Sequence, residues 1–264
     1  MLLAYLRYLA RARDEHSLHS PFLFNLYTNV IRADNRREPA FEPIRNLRNE
    51  LRRSGQAIQI TDYGAGSTIN ASRERTIGDI ARHSPKPARF GRLLFRLIRH
   101  FRAGTVVDLG TSLGLTTAYL AEAVRPSAAR PSGGQVFTFE GCPQTAAVAR
   151  QNFERLGLTN VTVVTGNLDE TLAPSVAELD RIDFAFFDAN HRYAPTIRYF
   201  ETCLPKTHNN SLFVLDDIHW SAEMERAWAD IKAHPAVSVT VDLFWVGLVF
   251  FRNEQPKQDF VLRF

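Results

Sequence analysis

Three carboxylates in the second half of the chain stand where their chemistry can be read. Asp188 closes the apolar run IDFAFFD, and Asp216-Asp217 closes SLFVLDD. Short continuous apolar runs read as strands buried on both faces, so each acid falls at the carboxyl end of a strand. If the two strands are neighbours in a parallel sheet, those ends lie about 4.8 Å apart and the carboxylates converge. Like charges that close raise one another's pKa unless a cation offsets them. A hard, oxygen-seeking divalent ion suits the group, Mg²⁺ being the expected one, with Asp188, Asp216 and Asp217 as its ligands. The competing reading makes Asp216 and Asp217 helix caps and leaves Asp188 only touching a cofactor. His191 and His219 follow these acids closely and titrate near neutrality, so both are candidate general bases. Each is equally readable as a loop hydrogen-bonder.

A second constellation begins at Asp108-Leu109-Gly110-Thr111-Ser112-Leu113-Gly114, where a strand gives way to a helix. Glycines at such a turn let a ligand approach the backbone and point helix N–H groups at it. The next strand ends in Glu140-Gly141, and a carboxylate there suits the two hydroxyls of a ribose. The turn lacks the G-x-G-x-x-G that brings a pyrophosphate onto a helix, which argues against a dinucleotide. S-adenosylmethionine (SAM) carries no phosphate but does carry an ammonium, which Asp108 would suit. An earlier stretch, Thr61-Asp62-Tyr63-Gly64-Ala65-Gly66-Ser67, imitates such a loop. No acid-ended strand follows it, so it reads as a lookalike turn, with a substrate-side loop as the alternative.

The elements that must position these residues follow from periodicity. Apolar residues at helical spacing near 2–13, 21–32, 43–53 and 86–102 predict a helical first third, with Ser20-Pro21 as a helix start. From 104 onward, strands at 105–109, 135–140, 161–166, 182–188 and 211–217 alternate with helices near 114–125, 143–156, 191–204 and 220–233. Two further strands, 237–243 and 245–251, are too close together for a parallel crossover, so the last must run antiparallel. The expected fold is therefore α/β, a three-layer sandwich with a seven-stranded, mostly parallel sheet whose last strand is antiparallel. Residues 1–90 read as a helical N-terminal extension and 91–264 as the site-bearing domain.

Over residues 91–253 the chain resembles the class I SAM-dependent methyltransferases. It is most similar to catechol O-methyltransferase-like and macrocin/novobiocin-type O-methyltransferases, and to a bacterial group sharing HSPF near the start and DDIHWS near the end. By that resemblance Gly110, Ser112 and Thr116 hold the methionine end of SAM and Glu140 takes the ribose. The Gly166-Asn167 turn then flanks the adenine, and Asp108, Gly114, Gly141 and Asp188 complete the cofactor set. Metal-dependent members of the family carry one Asp after the fourth strand and an Asp-Asp or Asp-Asn pair after the fifth, matching Asp188, Asp216 and Asp217. The catechol enzymes place a lysine where His191 stands, and the sugar-modifying relatives a carboxylate where Asn190 stands. The implied reaction is metal-assisted O-methylation of a hydroxylated small molecule.

Composition sets the bounds. The chain is 45% hydrophobic and 23% charged, ordinary values for a globular protein of 264 residues. Cys142 and Cys203 form no disulfide framework or metal spacing. Arginines interrupt the apolar N-terminus, and no run reaches the ~20 residues of a membrane span, so a cytoplasmic protein is expected. Residues 1–103 hold 19 Lys and Arg against 9 Asp and Glu, whereas the remainder holds 13 against 19. A basic third keeps two alternatives open, a nucleic-acid methyltransferase and a non-catalytic SAM-binding module. Base-methylating enzymes usually carry Asn/Asp-Pro-Pro-aromatic where this chain has Asp188-Ala-Asn-His, so the expected partner is a small-molecule acceptor rather than nucleic acid. A homodimer is compatible with the sequence. His16, His19 and His83 lack any supporting ligand spacing and read as solvent or cap contacts.

Overall fold

The computed structural model describes residues 2–61, 74–83, 86–127 and 131–264. In chain order the helices and strands begin with α1 (Leu2–Arg11), α2 (Pro21–Leu26), α3 (Phe41–Leu51), β1 (Ala57–Gln59), β2 (Glu74–Thr76), α4 (Ile77–His83) and α5 (Ala88–Phe101). There follow β3 (Thr105–Leu109), α6 (Leu115–Ala123), β4 (Gln135–Glu140), α7 (Pro143–Arg155), β5 (Val161–Thr165) and α8 (Leu168–Ala177). The chain finishes with β6 (Phe184–Phe187), α9 (Tyr193–Cys203), β7 (Leu212–Asp216), α10 (Ala222–Ala233), β8 (Val239–Asp242), β9 (Val246–Phe250) and β10 (Gln258–Val261). The fold is α/β of the Rossmann-like kind, with helices at the N-terminus and a mostly parallel central sheet.

Eight strands make that sheet, one more than the sequence predicts. The strand read as the last, β9, does run antiparallel, to β7 on one side and β8 on the other. Beyond it β10 pairs parallel with β8. Its four residues, QDFV, are exposed or half-buried, so they lack the apolar run that marks the other strands.

The chain divides into two compact units. Residues 34–172 form one, in which β3, β4 and β5 pair in that order, all parallel. Its core reads directly from sequence. In α5 the side chains of Phe90, Leu93, Leu94, Leu97 and Ile98 recur at helical spacing and are all buried. Val106, Val107 and Leu109 of β3 are fully buried, as a parallel strand covered on both faces requires. The helix closes at Arg102, which adopts a left-handed conformation that glycine usually takes. A small antiparallel sheet of β1 and β2 belongs to the same unit.

Residues 1–33 and 173–264 form the other unit, in which β6 and β7 pair parallel and β7, β9, β8 and β10 follow. Every residue of β6, β7 and β9 is buried. The first helix belongs here. Tyr8 and Ala12 of α1 pack into a cluster with Phe244, bordered by Trp245 and Val261. The Tyr8 hydroxyl donates to the Leu262 carbonyl at 2.6 Å, and Arg13 bridges to Leu262 beside β10. As the Ser20-Pro21 pair predicts, α2 starts with Ser20 at its cap, and a π-helical turn over Tyr27–Ile31 continues it.

Candidate functional site

The turn after β3 is held by hydrogen bonds from two strands. Gly110 and Thr111 donate backbone N–H groups to the Phe139 carbonyl of β4, at 3.1 and 3.0 Å. Gly110, Ser112 and Gly114 all have positive φ (111°, 49° and 78°), the conformation that lets the backbone double back in five residues. Glu140 ties two turns together, since Ser112 N–H donates to its Oε2 at 2.8 Å and Cys142 N–H to its Oε1 at 2.9 Å. A carboxylate has about four acceptor sites, so this anchoring is compatible with holding ribose hydroxyls. Gly166, at φ 138°, donates its N–H to the Glu140 carbonyl, which brings the turn after β5 to the same strand end. Asn167 starts α8, accepting the Asp169 N–H on its side chain at 3.2 Å. Ser112, Thr116, Gly141, Gly166 and Asn167 are all partly exposed beside this edge.

Asp108 lies differently from the other residues of this set. Its side chain is wholly buried, and Oδ2 accepts from the Thr117 hydroxyl at 2.6 Å and the Thr138 hydroxyl at 2.7 Å. No partner reaches Oδ1 among the described residues. Burial pushes the carboxyl up to about 6 against the opposing pull of the two threonines, with Glu140 adding to the rise. Gly114 answers a need of the fold itself. A methyl group there would sit 2.6 Å from the Phe153 ring of α7.

In the other unit the parallel register pairs Phe187 with Leu215, which sets Asp188 abreast of Asp216 at the ends of β6 and β7. Asp188, His191 and Asp216 each present a ligand atom within 4.8 Å of the others. His191 joins because its loop curls back: Asn190 and His191 have φ of 67° and 43°, and the His191 N–H bonds the Ala189 carbonyl at 2.9 Å. Such backbone costs about 1–3 kcal/mol per residue and gathers at functional sites. Nε2 of His191 stands 3.4 Å from Oδ1 of Asp188. Burial lowers the pKa of the ring, but Asp188, Asp216 and Asp217 outweigh it and the net shift is upward.

Asp217 is not one of the three. It follows the end of β7, where the chain turns through φ 53° and its N–H bonds the Trp245 carbonyl at 2.7 Å, and its charge still acts on the His191 ring. His219 is engaged elsewhere, with Nε2 2.7 Å from Asp242 and Nδ1 3.3 Å from Glu225. Its ring stacks on Phe244, with centroids 5.3 Å apart. Both carboxylates outweigh burial and raise its pKa. Sequence spacing places His219 near the acids, yet its partner Asp242 lies 23 residues on, beyond the reach of any local pattern.

Two carboxylates and one imidazole that close together suit a divalent cation, the carboxylates favouring a hard ion such as Mg²⁺ or Mn²⁺ and the imidazole a softer first-row metal. The cysteines take no part. Cys142 is buried and donates to the Gln59 carbonyl, and burial pushes the Cys203 thiol up to about 12. Of the other histidines, His83 contacts the Asp79 carbonyl at 2.9 Å as a helix-end group, and the lookalike turn at Asp62–Ser67 lies outside the described residues.

Residues 107–218 match the family described as a methyltransferase domain. A catechol O-methyltransferase of Niastella koreensis is 33% identical over 137 residues, covering 51% of this chain and 57% of that protein. One from Mycobacterium tuberculosis is 30% identical over 132 residues, covering 50% and 56%. The chain thus spans little more than half the length of these two relatives. The crystal structure of an O-methyltransferase from Bacillus cereus in complex with SAH matches with a TM-score of 0.53 at 26% identity, covering 64% of this chain and 83% of that one. The resemblance to class I SAM-dependent O-methyltransferases drawn from the sequence therefore holds. No helix among the described residues is long and apolar enough to cross a membrane.

Proposed function

Starting from the methyltransferase domain at residues 107–218, we propose that the chain transfers a methyl group from SAM to a hydroxyl of a small molecule, assisted by a divalent cation. Residues 91–264 are the catalytic domain in this reading, and the acceptor is of the catechol class on which two of the relatives are named. The observation that carries it is the convergence of Asp188, His191 and Asp216 within 4.8 Å at two adjacent strand ends. Positive φ at Asn190 and His191 closes that group, and such backbone gathers at functional sites.

On the cofactor side, Glu140 accepts the ribose hydroxyls while Gly110, Ser112, Gly114 and Thr116 surround the methionine end. Gly141, Gly166 and Asn167 flank the adenine. Asp108, sealed behind Thr117 and Thr138, shapes the turn rather than touching the ammonium. On the acceptor side, Asp188, His191 and Asp216 hold the cation. When bound, such an ion lowers the pKa of a coordinated hydroxyl and fixes its position. In the transfer the acceptor oxygen bonds to the methyl carbon, the carbon–sulfur bond breaks, and the products are a methyl ether, SAH and a proton. His219 has both ring nitrogens turned to carboxylates and His191 is committed to the cation, so in this reading the proton passes to solvent.

The test is transfer of labelled methyl from SAM to a panel of catechols and related diols, with Mg²⁺ and with EDTA. Methyl ether that forms with Mg²⁺ and is lost with EDTA supports the reading. Transfer indifferent to EDTA removes the cation, and absence of SAM binding by calorimetry removes the whole proposal.

A further inference from the structure

The first helix has two apolar faces, and among the described residues only one is covered. The inner face packs Tyr8 and Ala12 against Phe244, and the Tyr5 ring meets Phe244 edge-on at 4.9 Å. The outer face carries Leu3, Leu6 and Leu9, exposed by 70, 53 and 40%. Of the six large hydrophobic side chains left exposed among the described residues, four belong to α1, the fourth being Tyr5 at 39%. At 100° per residue the three leucines fall within about 120° of the circumference, one continuous stripe. Arg7 and Arg11, one turn apart and both exposed, line its edge, and Arg13 is exposed just beyond the helix. None of the three makes an ion pair among the described residues, and the first acids, Asp14 and Glu15, come only in the turn that follows. Because the helix is already anchored by the Tyr8–Leu262 bond, the outer leucines are not needed to hold it in place.

We propose that α1 is an interfacial helix that seats this unit on an anionic lipid surface, with Leu3, Leu6 and Leu9 entering the headgroup–acyl boundary and Arg7, Arg11 and Arg13 meeting lipid phosphates. An amphipathic helix with leucines on one face and arginines at its margin binds this way, and cationic side chains add attraction to a negative leaflet. Charge favours lipid over a second copy of the chain. A two-fold pairing through α1 brings Arg7 and Arg11 of one copy against Arg7 and Arg11 of the other, with no acid on either helix to offset them.

The test is sedimentation of the full chain with vesicles of mixed phosphatidylglycerol and phosphatidylcholine, against vesicles of phosphatidylcholine alone. Partitioning to the anionic vesicles is expected to be about tenfold stronger and to weaken with salt. The combined substitution Leu3→Gln, Leu6→Gln, Leu9→Gln is expected to lower it by about tenfold or more, and Arg7→Gln with Arg11→Gln to remove most of the preference for anionic lipid. Melting temperature should fall only modestly, because the leucine side chains are 40–70% exposed. Leu3→Trp gives a second readout that leaves the rest of the face intact, a blue shift of its emission on adding anionic vesicles. Equal partitioning of the leucine variant and the parent overturns the proposal, as does an absence of both sedimentation and shift. Self-association without lipid that the leucine variant abolishes also overturns it, by assigning the face to a second copy.

Discussion

The Thr117 hydroxyl donates a 2.6 Å hydrogen bond to Oδ2 of Asp108, nine residues earlier and on the preceding strand. With Thr138 bonded to the same oxygen, the carboxylate is fastened from the helix that follows it and from the strand beside it. This geometry makes Asp108 part of the framework beneath the glycine turn. An acid at the end of a strand reads from sequence as a ligand for an ammonium; here the side chain is buried and its Oδ2 is taken by two threonines.

A carboxyl raised from 3.8 to about 6 has a definite pH signature. Between those values the folded state binds more protons than the unfolded state, so this group makes stability fall as pH rises. At about 1.4 kcal/mol per unit, its ionised form weakens the fold by on the order of 3 kcal/mol above pH 6. Asp108→Asn keeps the shape and the two threonine bonds but removes the titration. Urea unfolding at pH 4.5 and pH 7.5 should show a smaller loss of stability across that interval in the variant than in the parent. An unchanged pH slope would show that Asp108 does not titrate there.

Glu140 is the reverse case, a partly exposed carboxylate whose two oxygens each accept a backbone N–H. In Glu140→Gln one of those oxygens becomes an NH₂ facing a donor, so either the Ser112 turn or the Cys142 turn loses its anchor. A lost charge-assisted bond costs about 1.5–3 kcal/mol. The lost anchor should lower the melting temperature by several degrees, and the lost acceptor for the ribose hydroxyls should make SAM affinity at least about tenfold weaker by calorimetry. Affinity equal to that of the parent would detach Glu140 from the cofactor.

What sequence reading reaches depends on how local the determinant is. The runs TVVDL, QVFTFE and SLFVLDD are legible as buried parallel strands because both faces are apolar, and the closeness of β8 and β9 is enough to set their antiparallel sense. Strand β10 escapes because its pairing is set by β8 and by Arg13, far away in sequence. Helix α8 escapes because Pro174 lies inside LDETLAPSVA and breaks its pattern. Asp188 and Asp216 are legible as strand-end acids, and adjacency of β6 and β7 does the rest. His191 is recognisable as a site residue but not as the third member of the cluster, since only the positive φ at Asn190 and His191 carries its ring back to Asp188.

That difference sets up a discriminating experiment on the metal. The sequence pattern names Asp217 as the third ligand, whereas His191 is the residue within 4.8 Å of Asp188 and Asp216. Calorimetric titration of Mn²⁺ into the parent and into Asp188→Asn, Asp216→Asn, His191→Ala and Asp217→Asn separates the two sets. Loss of a ligand should lower affinity by about 10–100-fold or more, by analogy with the sensitivity of metal sites even to their outer partners. The expected order has Asp188, Asp216 and His191 variants strongly weakened and Asp217→Asn nearly unaffected. Weakening by Asp217→Asn with His191→Ala neutral would return the imidazole to the role of base.

Gly114 offers a test of the turn that needs no ligand. It sits at φ 78°, where a side chain costs about 1–2 kcal/mol, and a Cβ would meet Cε1 and Cζ of Phe153 at 2.6 Å. Overpacking of that kind adds about 1–3 kcal/mol, so Gly114→Ala should destabilise by about 2–5 kcal/mol. The two causes separate in a double-mutant cycle, because Phe153→Leu removes the ring but leaves the backbone strain. Gly114→Ala measured in the Phe153→Leu background should therefore cost about 1–3 kcal/mol less than in the parent. If both backgrounds give the same loss, Phe153 is not what enforces glycine at this position and the left-handed backbone alone accounts for it. If neither background shows a loss, the turn after β3 does not have the conformation on which the cofactor assignment of Gly110, Ser112 and Gly114 depends.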